Sequence, residues 1–203
     1  MEKLANMKMH SYSVDNRERE FATAIIALLS LFIAKLLDPL WSSFGLSTIL
    51  PIAGLWGIFG LGMSLHNRYI WRVQMRSKRV SMIPDLNGNW KGTGVSSHKI
   101  EGCEKSFPVE LMISQTWQKI SITGSFKESR SESVTACVGT RDEAFSLTYL
   151  YINHPDYASD ERLHKHEGTV ILRMSEDGRL KGEYYSGRDR CTFGKLSLEK
   201  VKN

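Results

Sequence analysis

The sequence predicts a membrane-anchored all-β protein, a two-helix transmembrane hairpin followed by an antiparallel up-and-down β-barrel of about eight strands. Three observations predict it. Two apolar runs, Phe21 to Leu37 and Leu46 to Leu65, stand near the start of a 203-residue chain. No acidic residue occurs between Asp38 and Asp85, and the second run passes directly into Arg68, Arg72, Arg76, Lys78 and Arg79. Beyond Pro84, apolar and polar residues alternate with the period of two that marks half-buried strands.

Each apolar run is close to the roughly 17 to 25 residues that a bilayer crossing needs, the first at the short limit. Lys35 near its end snorkels to the headgroups. Asp38-Pro39-Leu40-Trp41-Ser42-Ser43-Phe44-Gly45 reads as the loop between the two helices. A cleavable signal is the rival for the first run. Glu2, Asp15, Glu18 and Glu20 precede it, however, and no small-residue cleavage site follows before Pro39. The second run has no ionisable residue on any face, which separates it from a buried helix of a soluble core.

The short loop lacks Lys and Arg while both flanking segments carry them, so both termini are expected in the cytoplasm. The net charge of +5 equals the five bases after the second run, because the other Lys and Arg match the 22 Asp and Glu. That basicity suits anionic headgroups rather than a DNA or RNA polymer. Cys103, Cys137 and Cys191 form no CxxC pair and leave an odd one over, as a reducing compartment allows. The organisation is then 1–20, a cytoplasmic N-terminal segment; 21–65, the transmembrane hairpin; 66–83, a basic juxtamembrane linker; and 84–203, the barrel.

Strands are expected at Gly88–Val95, Val109–Trp117, Ile120–Lys127, Ser133–Thr140, Phe145–Ile152, His166–Met174, Leu180–Ser186 and Thr192–Glu199. Alternation is clearest in Val109/Leu111/Ile113, Phe145/Leu147/Tyr149/Tyr151 and Val170/Leu172/Met174. Gln118-Lys119 and Glu176-Asp177-Gly178-Arg179 are tight connections, the latter with the Asp-Gly that hairpins favour. A β-sandwich is the alternative architecture.

The barrel opens with Leu86-Asn87-Gly88-Asn89-Trp90-Lys91-Gly92. Gly88-x-Trp90 at the head of strand one is similar to the opening of lipocalin-type barrels, where the Trp plugs the closed end. With two preceding apolar helices and the Pro84-Asp85-Leu86 lead-in, the layout resembles the two-transmembrane, β-strand-rich effectors of bacterial CBASS anti-phage operons. The resemblance rests on architecture and one short motif across almost the whole chain, and on no catalytic signature. It implies that the barrel binds a cyclic dinucleotide made by a partner CD-NTase. It further implies that the protein then assembles into a homo-oligomer and disrupts the bacterial inner membrane, with two spans and a cytoplasmic barrel. No cofactor is implied beyond that activating ligand.

The family supplies no ligand motif that maps residue by residue here, so the site is placed by strand geometry. Strand one is tethered to the membrane through Arg68 to Pro84, so Trp90, Trp117 and Phe145 gather at the membrane-proximal end. Trp90 and Trp117 are expected as the barrel plug. The opposite mouth gathers Phe126, Tyr149, Tyr151, His166 and Tyr184 by inward parity, with Arg188 just past a strand end. Tyrosines offer stacking faces with hydroxyl handles and Arg the planar fork that fits phosphate. Lys127, Arg130, Lys165 and Arg190 stand on the same rim as steering charge.

His154, His164 and His166 with Asp156, Asp160 and Glu161 lack ligand spacing, so no metal site is expected. No Walker loop, nucleophile elbow, HExxH or paired-carboxylate constellation appears, and an enzyme is not expected. In the second run Ala53, Gly57, Gly60 and Ser64 recur at spacings of four, three and four, a small-residue seam for close helix packing. Gly54 and Gly62 fall off that face. The alternative function is a constitutive membrane-tethered barrel that binds a lipid, a small molecule or a partner protein.

Overall fold

In a computed structural model the chain is described over residues 8–43, 49–75, 78–100, 103–126, 129–141, 144–155, 165–187 and 191–201. It divides into two compact units, Asn16–Pro84 and the remainder, Met1–Asp15 with Asp85–Asn203.

The first unit holds the apolar runs as α1 (Glu18–Ser43) and α2 (Ile49–Arg68). α1 starts ahead of the predicted run, where Asn16 Oδ1 accepts the Glu18 N–H and satisfies one of the orphan amides of the first turn. Glu18 and Glu20 add negative charge at the positive end of the helix dipole. α1 also runs on through Asp38-Pro39 to Ser43, where the sequence suggested a loop. Proline holds the φ of a helix, so α1 continues through it at the cost of the hydrogen bond that an N–H at position 39 would give the carbonyl four residues back. The window Glu18–Leu40 is 23 residues long, with the charged Glu18, Arg19, Glu20 and Asp38 bounding the apolar stretch Phe21 to Leu37. Among the described residues this is the one helix that is long and apolar enough to span. The start of the second run, Leu46 to Thr48, lies outside the described residues, and α2 carries the rest of it.

The basic segment after α2 is folded rather than a plain linker. A 3-10 turn at Ile70–Arg72 buries Trp71, and two short strands follow, β2 (Gln74–Met75) and β3 (Lys78–Arg79), paired antiparallel. Ile83 is buried, and the Glu18 carboxylate accepts the Met82 N–H at 2.7 Å and the Ser81 hydroxyl.

The second unit is a mostly antiparallel sheet of nine strands that closes on itself. Its members are β1 (His10–Val14), β4 (Gly88–Ile100), β5 (Cys103–Gln115), β6 (Lys119–Ser125), β7 (Ser129–Arg141), β8 (Ala144–Pro155), β9 (His166–Met174), β10 (Leu180–Ser186) and β11 (Phe193–Lys200). The order around the ring is β1-β6-β5-β4-β11-β10-β9-β8-β7, with β6 also bonded to β7. All eight predicted strands are present as β4 to β11, and β9 and β10 keep their predicted bounds. The ninth, β1, comes from the segment ahead of α1. Trp117 lies in the β5–β6 turn rather than in a strand, yet is buried.

Inward positions at the β4-start end form the apolar core: Leu86, Trp90, Leu111, Ile113, Leu147, Leu172, Leu180 and Leu198 are each at most 2% exposed. The Trp90 Nε1–H donates to the Leu86 carbonyl at 2.9 Å. The Leu86 N–H donates to Gln115 Oε1, Gln115 Nε2 donates to the Tyr12 hydroxyl, and that hydroxyl donates to the Trp117 carbonyl. Buried polar groups are thus paired in a chain that ties β1 to β5. At Gly92 and Gly182 a Cβ would come within 1.9 Å of the carbonyl oxygen of Ser197 or Ile171 on the next strand. Only glycine allows that approach, and such bends let a strongly coiled sheet meet its own edge.

Candidate ligand site

The other end of the ring has a different lining. Tyr149 and Tyr151 on β8 and His166 on β9 are inward and buried, at 3%, 7% and 8% exposure. Tyr149 and Tyr151 stand with ring centroids 6.5 Å apart, and Tyr151 meets His166 edge-to-face at 6.3 Å. Burial, with Tyr151 beside it, pushes the Tyr149 phenol up, so its hydroxyl stays neutral. A second group forms around Phe107 of β5, which packs on Phe126 at 6.2 Å and edge-on against Tyr184 of β10 at 6.1 Å. These three are half-buried. Of the predicted residues, Tyr149 and His166 are joined through Tyr151, and Phe126 and Tyr184 through Phe107.

Phe107 was missed because the predicted strand began at Val109, after Pro108. The signal was present: Phe107 extends the Val109/Leu111/Ile113 alternation by one step. The glycines that seat these rings were missed as well. Gly94 is the register partner of Phe107, Gly168 of Tyr151 and Gly194 of Tyr184. A Cβ at Gly94 would stand 2.4 Å from the Phe107 ring, one at Gly168 2.3 Å from the Tyr151 oxygen, and one at Gly194 2.5 Å from the Tyr184 ring. Each ring therefore lies against bare backbone across the strand, held to the wall.

Polar side chains complete this end. Ser96, Ser129, Ser131 and Asn153 are inward and buried, with Asn153 between Ser131 and His166 in register. Ser186 and Thr192 share a 2.7 Å hydrogen bond. Aromatic faces beside hydroxyl and amide groups suit a flat heterocycle with polar edges, since stacking holds the face and hydrogen bonds read the rim.

Of the predicted charges, Arg188 lies outside the described residues, as do Lys127 and Arg190. Arg130 is exposed and alternates with the inward Ser129 and Ser131, so it faces outward. Lys165 is exposed ahead of β9. Of the histidines set aside as metal ligands, His166 is inward, His154 is exposed, and His164 lies outside the described residues with Asp156, Asp160 and Glu161. In the first unit Ala53, Gly57, Gly60 and Ser64 share an exposed face of α2. It is Gly62 that faces α1, where a Cβ would stand 3.0 Å from Ile26 Cγ2.

Residues 81–200, which cover β4 to β11, match the family model described as Cap15, cyclic dinucleotide receptor domain. The chain belongs to that family. A relative in the Cap15 family, CD-NTase-associated protein 15 of Yersinia aleksiciae, is 26% identical over 212 residues, covering 97% of this chain and 100% of that protein. The Cap15 match spans both the core around Trp90 and the aromatic end, and it bears out the resemblance to CBASS effectors drawn from Gly88-x-Trp90 and the apolar runs. It begins after the helices, so the Cap15 receptor domain is the set of eight consecutive strands without β1.

Proposed function

We propose that this protein is a membrane-anchored CBASS effector whose nine-stranded ring works as a ligand-binding β-barrel. A cyclic dinucleotide made by a partner CD-NTase binds at the aromatic end, copies of the protein then assemble, and the inner membrane of the infected cell is breached. The observation that carries this reading is the match of residues 81–200 to a cyclic dinucleotide receptor domain. The lining supports it. Tyr149, Tyr151, His166, Phe107, Phe126 and Tyr184 offer stacking surfaces for two bases, and Arg188, two positions after Ser186 in the sequence, has the planar fork that suits the phosphates. A receptor of this kind binds and signals without catalysing a reaction.

The test is a thermal-shift and calorimetry series on the full chain in detergent, against 3′,3′-cyclic dinucleotides with linear dinucleotides as controls. One cyclic compound is expected to stabilise the wild type. Phe107→Ala should weaken it by about 1 to 3 kcal/mol, the worth of a base stacked on an aromatic ring. Arg188→Ala should weaken it by about 1.5 to 3 kcal/mol, the worth of a charge-assisted hydrogen bond, with folding nearly unchanged. Stabilisation by no member of the series would return the barrel to the constitutive-module reading.

Both runs are proposed to cross the bilayer, with both termini and the barrel in the cytoplasm, where the ligand is made. Reporter fusions at Ser43 and at the C-terminus should therefore report opposite sides. A C-terminus on the outer side would end the reading, because an intracellular messenger would never reach the barrel.

A further inference from the structure

β1 is the one strand of the ring that no hairpin holds. β4 to β11 follow one another in sequence, each bonded to the next, and β11 returns to β4. β6 and β7 pair directly only over Thr123–Ser125 and Arg130–Glu132. Past the irregularity between Ser133 and Thr135 they part, and β1 fills the cleft. It runs antiparallel to β6 at His10 and Ser11, then parallel to β7 from Tyr12 to Val14. Few side chains hold it there. Tyr12 is buried in the polar chain to Gln115 and Trp117, His10 Nε2 meets Ser133 Oγ at 2.7 Å, and Asp15 lies over Gly139, where a Cβ would come within 1.8 Å of its carboxylate. Beside the start of β1 the outer face of the sheet carries a hollow of about 690 Å³ lined by Lys8, His10, Thr123, Arg130, Glu132 and Ser133 among others.

An unfilled cleft would expose the backbone edges of β6 and β7 at Lys119, Ile120 and Ala136–Val138, and such edges take up strands. The strand that fits is the one this sequence carries, and every second copy carries it too. Exchange of β1 between copies would keep each of its hydrogen bonds. The exchanged and unexchanged states differ only in the three-residue bend from Asp15 to Arg17 and in the local concentration of copies. Helices confined to one membrane raise that concentration. We propose that the β6–β7 cleft is an interaction surface for β1 of a second copy, and that this exchange links copies in the assembly. The proposal deepens the assembly step above, yet it is read without measuring ligand affinity or membrane damage.

Ser13 is exposed and is the register partner of Cys137, which is in no disulfide and whose thiol donates to the Asp15 carboxylate at 3.6 Å. Neighbouring strands hold such partners within the Cα separation that a disulfide spans, about 4.4 to 6.8 Å. Two differently tagged chains are co-expressed in membranes with Cys103 and Cys191 replaced by serine in both. One carries Ser13→Cys with Cys137→Ser, and the other keeps Ser13 and Cys137. Neither holds both halves of the bridge, so a reducible band of two-chain mass after oxidation reports exchange. The band is expected, and it should grow on adding a saturating mixture of 3′,3′-cyclic dinucleotides of guanine, adenine and uracil. Its absence with and without that mixture, while Ser13→Cys beside native Cys137 cross-links within one chain, overturns the proposal. So does an equal yield from Ser11→Cys, whose register partner is Lys119, because that would report collision alone.

Discussion

Trp90→Ala should destabilise the receptor domain by about 3 to 5 kcal/mol, the cost of removing a fully buried large aromatic side chain. Domains of this size are stable by about 5 to 15 kcal/mol, so the change removes a large share and should lower the melting temperature by roughly 10 to 20 °C. Burial decides the magnitude. Trp90 is 2% exposed at the β4-start end, where Leu111 is its register partner. Two lesser contacts add to it: the Nε1–H donated to the Leu86 carbonyl at 2.9 Å, and Lys200, whose ammonium sits 5.7 Å from the ring centroid. An exposed cation over an aromatic face is worth only about 0.5 to 1 kcal/mol. Trp90→Phe keeps an aromatic face and loses the N–H donor, so it should cost about 1 to 3 kcal/mol, the price of an unsatisfied buried carbonyl. Chemical denaturation of the three proteins ranks them. A Trp90→Ala protein within about 1 kcal/mol of the wild type would show that the apolar end collapses around the gap and that Trp90 is no plug.

The eight consecutive strands were legible because alternation and hairpin chemistry are local signals. Phe145/Leu147/Tyr149/Tyr151 point one way whatever else the chain does, and Asp177-Gly178 supplies the positive φ, +75° at Gly178, that its turn uses. Inward parity then followed, which is why Tyr149, Tyr151 and His166 were found together. β1 was illegible for the opposite reason. His10 to Val14 is five residues long, and its partners Ile120 and Ala136 lie more than a hundred residues away with no turn to announce them. Asp38-Pro39 misled because a proline reads as a break, although its fixed φ is that of a helix and α1 runs on through it to Ser43 with one hydrogen bond fewer. Register was the other blind spot. That Gly94 faces Phe107 and Gly168 faces Tyr151 depends on which rungs pair across strands, and alternation within one strand carries no such information.

Replacing Gly57 and Gly60 together by leucine should abolish membrane damage while leaving insertion and ligand binding intact. The face that carries Ala53, Gly57, Gly60 and Ser64 is exposed, and a Cβ at Gly57 or Gly60 meets nothing within 4 Å, so leucine there does not disturb the packing of α2 on α1. That packing runs past Gly62 and Ile26 instead, and Gly62→Leu is the contrasting substitution that should spoil the hairpin itself. Helices in lipid gain little from burying apolar surface, so they associate where small residues let backbones approach. An exposed small-residue face on a membrane helix is therefore suited to other copies, and bulk at its centre holds them apart. The double variant should appear in the membrane at wild-type level, show the same thermal shift with the cyclic dinucleotide, and fail to release dye from vesicles or to kill cells that co-express a CD-NTase. Full killing at normal expression would mean that this face is not the working contact. The damage would then fall to α1, whose Lys35 sits inside the Glu18–Leu40 window and would disorder the surrounding lipid in reaching for the headgroups.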